Sequence, residues 1–395
     1  MERSIYLDNA ATTKTSDEVV QAMLPYFSTF YGNPSSVYSL ANRSVEAIEQ
    51  AREVIANSLG AKVNEIYFTA GGTESDNWAL KEVAFAYQNK GRHIITSSIE
   101  HHANLHTCEY LKKNGYEVTY VPVDQEGILQ IEELKKAIRP DTIIISVMFA
   151  NNEIGTIQPI QEIGKLATEH KILFHTDAVQ AYGHLPISVD EYQIDLLSAS
   201  AHKLNGPKGI GFLYIRQGNR MRSFLHGGGQ ERARRAGTQN VPSIVGFGKA
   251  VERAMSTMEE RQEKVIKCRD YLIKKVLEEV PYCHLNGSIN NRLPNNVNIG
   301  FEFIEGESLL MMLDMHGIMA SSGSACTSGS LDPSHVLLSM GQKHEIAHGS
   351  LRMTMNEDNT IEEMDFVVEK VKEIVQKLRN MSPLYEDFMR KESEK

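Results

Sequence analysis

The chain has 395 residues, which at about 100 to 200 residues per domain leaves room for two or three domains and a sizeable core. Its 41 Lys and Arg against 51 Asp and Glu give a net charge of −10, which works against attraction to phosphate backbones and anionic lipid, so no direct nucleic-acid partner is expected. Four cysteines without a CxxC pair exclude a disulfide framework and a zinc ribbon, and no stretch reaches the roughly 18 uninterrupted apolar residues of a membrane span. The expectation is a cytoplasmic protein without a membrane anchor.

In chain order, short β-branched and apolar runs alternate with amphipathic helical stretches between about 45 and 215. The runs fall at 66–69, 93–97, 118–121, 143–147, 173–177, 196–200 and 211–215. Such alternation predicts an α/β unit with a mostly parallel seven-stranded sheet, because parallel strands need crossovers that cover both faces. The last run follows 196–200 through a short Gly/Pro-rich segment, which predicts one antiparallel member. Past about 255 the character changes to long charged helices (259–280, 361–379) around short strands such as 296–299, a smaller α+β domain. The predicted division is a large domain over 15–255 and a small one made of 1–14 and 256–395. A charged end at 390–395 is expected to fray.

Ligands of open parallel sheets sit at the carboxyl ends of the strands, and there the chemistry concentrates. After 66–69 comes TAGGTESD, leading into a helix predicted at 77–88. Gly71, Gly72 and Thr73 before a helix N-terminus make a phosphate cradle or a tight turn capped by Thr73. It has neither the Lys of a P-loop nor GxGxxG spacing, so a nucleotide is not favoured. Asp177 ends a buried strand, where a carboxylate needs a cation, such as a protonated pyridine nitrogen, or several donors. Lys203 follows another buried strand. Its amine is either a Schiff-base nucleophile with a lowered pKa or a head that reaches the surface. Ser200 and His202 beside it can donate to phosphate. Cradle, ring partner and lysine at successive strand ends form a coherent pyridoxal phosphate site.

Two further strand ends add His101, which can stack on a ring and relay protons, and Asn152, which can donate to a ring oxygen. Glu100, His101, His102 and His175 have no metal-ligand spacing such as HExxH. In the C-terminal part, seven of the ten residues of SSGSACTSGS (321–330) are Ser or Gly, a composition suited to a loop, with Cys326 in its middle. A thiol in such a loop suits a nucleophile that visits a site and leaves carrying something. Cys108, Cys268 and Cys283 fit packing roles. Arg352, in a short apolar run, is either a bidentate clamp for a substrate carboxylate or half of a structural ion pair.

Together the motifs LDNAATT (7–13), GNPSS (32–36), GGTESDN (71–77), EHH (100–102), NNEIG (151–155), HTDAVQ (175–180), SAHKLNGPKGIGFLY (200–214), GGGQE (227–231) and SSGSACTSGS span nearly the whole chain. The set resembles the cysteine desulfurases of the class V aminotransferase family, and among them the nitrogen-fixation and housekeeping iron–sulfur cluster types. The resemblance implies a fold type I, pyridoxal 5'-phosphate-dependent homodimer that converts L-cysteine to L-alanine and leaves a persulfide on its own thiol. It implies that Lys203 holds the cofactor, Asp177 pairs with the ring nitrogen, Asn152 and Gln180 contact the ring oxygen, and His101 stacks on the ring. Gly72, Thr73, Ser200 and His202 would hold the phosphate, with Thr238 from the neighbouring subunit. Arg352 would bind the substrate carboxylate and Cys326 would attack the substrate sulfur. The sulfur acceptor would be an iron–sulfur scaffold or another acceptor protein, for cluster assembly or for the thiolation of cofactors and tRNA, and the segment 378–385 is similar to a scaffold-binding tail.

Departures from the family pattern are Tyr38 and Ala41 after GNPSS and Asn356 after the Arg352 strand. The nearest alternatives are a selenocysteine lyase or related lyase or aminotransferase of the same cofactor class. A metal-dependent hydrolase and a non-catalytic interaction hub are further alternatives.

Overall fold

The computed structural model describes residues 4–322 and 333–394. Among them twelve strands occur in chain order: β1 Ile5–Tyr6, β2 Ile66–Thr69, β3 His93–Ser97, β4 Glu117–Val121, β5 Thr142–Ser146, β6 Leu173–Asp177, β7 Leu196–Ser200, β8 Gly211–Ile215, β9 Cys283–Leu285, β10 Asn296–Phe301, β11 Ile318–Met319 and β12 Ser350–Thr354. Seven of these form the main sheet in the order β2-β8-β7-β6-β5-β3-β4. Neighbours from β7 through β4 run parallel, and β8 is antiparallel to both β2 and β7. The seven expected runs are the seven strands, within a residue at each end.

These strands read as continuous apolar runs because both faces are covered. On one face Trp78, Leu80 and Val83 of the helix Gly72–Tyr87 pack with Ile94, Ile144, Leu196 and Leu213. On the other, Ile95, Ile145, Phe174, Leu197 and Phe212 pack with Ile163 and with Ile48, Ile55 and Phe247 of the helices Ser39–Leu59 and Val241–Ser256. The first of these two helices stops at Gly60, whose φ of 67° is left-handed backbone that a side chain would disfavour. Tyr38 is its half-exposed N-cap and Ala41, fully buried, is its third residue, so both departures lie at that helix start rather than at the strand ends.

The helix expected at 77–88 begins five residues earlier, at Gly72. The two glycines let the chain turn from the strand straight into the helix, so the phosphate-cradle motif is the first helical turn itself. Of the end expected to fray at 390–395, residues 390–393 continue a helix, Pro383–Ser393, and Lys395 lies outside the described residues. Tyr385 and Phe388 from it pack on Tyr282 and Phe303.

A second apolar cluster gathers Val297, Ile299 and Phe301 of β10 with Leu351 and Met353 of β12 and the helices Met258–Glu279, Gly306–Asp314 and Ile361–Asn380. The last of these starts with a reciprocal Thr360–Glu363 capping box, and Asn356 belongs to the turn before it. Ile5 and Leu7 join this cluster from the far end of the sequence. β1 pairs in parallel with β11, and the Thr354 N–H donates to Leu7 O at 2.7 Å. The N-terminal segment then crosses to the main sheet, where Thr13 N–H donates to His202 O at 2.9 Å.

One buried ion pair stabilises an unusual backbone. Glu231, Arg232 and Ala233 have φ of 44°, 56° and 62°, a left-handed run without glycine that costs on the order of 1–2 kcal/mol per residue. Arg52 donates to both Glu231 oxygens at 2.8 and 3.0 Å, and Phe68 N–H donates to the same carboxylate at 3.0 Å. Replacing Arg52 by Ala strands the Glu231 charge in the interior. Chemical denaturation is expected to show a loss of about 3–5 kcal/mol; a loss below about 1 kcal/mol would show that the pair does not hold the segment.

Candidate active site

The site lies at the carboxyl ends of β2, β3, β5, β6 and β7. A cavity of about 310 Å³ there is lined by Gly72, Thr73, His101, Asn152, Asp177, Gln180, Ser200, His202, Lys203 and Arg352, together with Ala10, Ala11, Asp76, Met148, Ala150 and Val179. The first ten are residues singled out in the sequence. An adjoining cleft of about 410 Å³ runs along the loop before the helix, past Gly71, Gly72, Thr73, Ser200, His202 and Lys208. One singled-out residue, Thr238, is exposed and is not among those lining the cavity; another, Cys326, lies outside the described residues.

Each lining residue is set by the end of an element. Asp177 terminates β6, and one oxygen accepts Val179 N–H at 2.9 Å. Burial pushes its pKa up to about 6, against the pull of Val179 N–H and the Lys203 cation. Asp76 stands one turn into the helix Gly72–Tyr87, 1% exposed, with its Oδ1 unpartnered. Burial and then the Asp177 charge raise it well above the carboxylate range, so Asp76 is the carboxyl that keeps its proton. His175 gives Asp76 little help. Its Nε2 is 3.7 Å from Asp76, but both ring nitrogens are held by Ser146 and Ser198 hydroxyls at 2.8 and 3.0 Å, and burial pushes its pKa down to about 3.

Lys203 sits in the short turn after β7. Its ammonium donates to the carbonyls of Ala10 and Ala11, the latter at 2.8 Å. Gln180 Nε2 donates to the same Ala10 carbonyl at 2.9 Å. His101 is the N-cap of the helix His102–Lys113, its Nδ1 accepting Ala103 N–H at 3.1 Å. That bond leaves Nε2 to carry the single hydrogen of a neutral ring. Burial and the Lys203 cation push its pKa down to about 4, and the same two causes hold His202 at about 4. Beneath His101, Glu100 is fully buried and bonded to Ser97, Asn104 and Met148 N–H, with burial raising it to about 7. Arg352 comes from β12. Its fork reaches Asn152 O at 3.1 Å and Asp8 at 2.9 Å, so the ion pair weighed for it exists and has its partner inside the site.

Sequence reasoning missed Asp8, Ala10, Ala11 and Asp76. LDNAATT stood out as a motif, but its contact with Lys203 joins residues nearly two hundred positions apart. Asp76 carried a local signal, four residues after Gly72 and so one helical turn below it.

The donor set fits pyridoxal 5'-phosphate. The first N–H groups of the helix at Gly72 face the cleft and suit an anion. A Cβ on Gly72 would stand 2.6 Å from Val179 Cγ2, so only glycine allows the helix to start there. The same cavity is lined by two buried carboxyls, Asp76 and Asp177, which suit a protonated ring nitrogen, and by the Lys203 amine. Among the described residues, no group of three or more His, Cys, Asp or Glu side chains is arranged to hold a metal ion, and no helix is long and apolar enough to cross a membrane.

The Aminotransferase class-V family model matches residues 5–367. The fold and site place the chain among pyridoxal 5'-phosphate-dependent enzymes of fold type I. A curated relative, "Cysteine desulfurase IscS" of Methanosarcina thermophila, is 60% identical over 97% of this chain and 94% of its own length. Among solved structures, a NifS-like protein superposes with a TM-score of 0.90 at 40% identity, covering 95% of this chain and 100% of that one. A second, titled "SspA in complex with cysteine", gives 0.79 at 39% identity over 89% and 99%. The chain belongs to the cysteine desulfurases of the class-V family.

The lowered pKa of His101 fixes a sign. A group with a pKa near 4 is neutral at every pH above about 5, so the ring stays uncharged, with its one hydrogen on Nε2, across the physiological range. Its ring resonances are expected to keep the neutral position from pH 5.5 to 9; a midpoint above pH 6 would contradict the burial and Lys203 contributions.

Proposed function

We propose that this enzyme removes sulfur from L-cysteine, giving L-alanine and a persulfide on Cys326. One observation carries the reading: a lysine amine, a buried carboxylate, a helix N-terminus and an arginine line a single cavity. The family match and the relatives' printed activity support it.

In this reading Lys203 binds the cofactor, Asp177 faces its ring nitrogen, Asn152 and Gln180 its ring oxygen, and His101 its ring. Gly72, Thr73, Ser200 and His202 hold the phosphate, joined by Thr238 of a second copy. Thr238 is exposed and away from its own cavity, which is what a residue serving a neighbour requires. When bound, pyridoxal 5'-phosphate supplies a carbonyl carbon for an amine and a ring that stabilises negative charge on the adjacent carbon.

The protein residues do the rest. Arg352 holds the substrate carboxylate by the edge of its fork that Asp8 leaves open. Lys203, once released, takes the α-proton of the substrate. Asp177, as an anion, keeps a proton on the ring nitrogen opposite. The Cys326 thiolate then attacks the substrate sulfur. A sulfur–sulfur bond forms, the carbon–sulfur bond breaks, and its electron pair takes a proton at the β-carbon from the Lys203 ammonium, while the α-carbon regains one proton, equal to that given up by the Cys326 thiol, to give alanine. Residues 15–255 are read as the cofactor domain, and 1–14 with 256–395 as the domain that supplies Arg352 and Cys326. The same reading makes the enzyme a cytoplasmic homodimer that passes sulfur to an iron–sulfur scaffold or another acceptor protein.

Cys326→Ser is expected to keep the cofactor's visible band and lose more than 99% of sulfide release from L-cysteine. Lys203→Ala is expected to lose both alanine and sulfide. Full sulfide release by Cys326→Ser would overturn the thiol assignment, and alanine formation by Lys203→Ala would overturn the lysine assignment.

A further inference from the structure

Arg352 is 3% exposed, yet two of its three guanidinium nitrogens already have acceptors. Asp8 takes Nη2 at 2.9 Å, and the Asn152 carbonyl takes Nη1 at 3.1 Å. The third nitrogen, Nε, is buried without a partner. A buried N–H donor is seldom left unpaired without a reason. Arg352 also lines the cavity, whose substrate in the proposed reading carries a carboxylate.

Asp8 cannot easily swing away. Its carbonyl accepts Ala11 N–H at 3.0 Å and the Tyr6 hydroxyl at 3.1 Å. The residue bridges to Thr354, two positions beyond Arg352 on the same strand, and Ala10 N–H donates to the Thr354 hydroxyl at 2.7 Å. The acid and the arginine are thus mounted on one rigid unit. The other acid facing Arg352 is Glu153, whose buried carboxyl bonds to Ser334 and is pushed up to about 7 by burial. Asp8 is therefore the main resident negative charge beside the arginine.

We infer that Asp8 is a specificity-determining residue of the substrate site. It holds one edge of the Arg352 fork as a built-in carboxylate, so the site takes amino acids with a single carboxylate and disfavours those with a second anionic group. The inference rests on the reading that Arg352 receives the substrate carboxylate. A fixed like charge in a half-buried site changes the affinity of an anion by about tenfold or more.

The test uses the holoenzyme and two amino acids that cannot give up sulfur, L-alanine and L-aspartate, with dissociation constants read from the change in the visible band. Asp8→Asn keeps an oxygen for Arg352 and removes the charge. It is expected to tighten aspartate relative to alanine by about tenfold, while Asp8→Glu restores the wild-type preference. An unchanged ratio in Asp8→Asn, or equal weakening of both amino acids, would overturn the inference, the latter by showing Asp8 to be only an anchor. Should Asp8→Asn fail to fold, Asp8→Ser is read in the same way. Arg352→Gln separates the two levels: it is expected to weaken both amino acids about a hundredfold, and unchanged binding there would sink the reading of Arg352 itself.

Discussion

Two buried carboxyls and one half-buried amine share a small cavity, and their charges constrain everything around them. Asp177 ends a strand deep in the sheet and Asp76 stands beside it with an oxygen that nothing satisfies. An isolated buried carboxylate is costly by several kcal/mol, and two side by side are worse. Protonating Asp76 removes one charge. The other is offset only in part by Val179 N–H and Lys203, so the site is built to receive a cation opposite Asp177. A pyridine ring that must stay protonated supplies one.

The N-terminal segment ties this arrangement together. Within a few residues it pairs with β11, bridges β12, places Asp8 on Arg352, offers two carbonyls to Lys203 and bonds to His202. Both apolar clusters therefore meet at the cavity through one strand of chain, which is how Arg352 of one faces Lys203 of the other. The carbonyl contacts also position the Lys203 amine in the cavity. The same segment makes the acid beside Arg352 part of the scaffold rather than a side chain free to move.

Much of this was legible in the residues. The strand runs at 66–69, 93–97, 173–177, 196–200 and 211–215 have the bounds of the strands themselves, because continuous apolar runs between turn residues have few other uses. Of the ten cavity residues, Asp177 and Lys203 were legible for a related reason: a charged residue at the end of a buried strand is expensive, so its presence points to a task, whereas Gln180 was indicated only by the family resemblance. What was hidden depended on distance or on tertiary rescue. Gly71 and Gly72 look like a loop, and only packing on Val179 and Ser200 makes Gly72 a helix start. Glu231 to Ala233 carry no glycine to announce left-handed backbone, and the Arg52 pair that stabilises it lies far away in sequence. The charged end looked too polar to order, but residues 390–393 prolong a helix that Tyr385 and Phe388 anchor on Tyr282 and Phe303. Asp8 was visible only as part of a motif, since its meaning lies in Arg352.

The most direct test concerns the charge opposite Asp177. Nitrogen NMR of the holoenzyme, loaded with cofactor labelled at the ring nitrogen, reports whether that nitrogen carries a proton. A protonated nitrogen in the wild type that becomes unprotonated in Asp177→Asn at pH 7.5 is the predicted result. An unprotonated nitrogen in the wild type, or no change on removing the carboxylate, would contradict the role assigned to the buried acid.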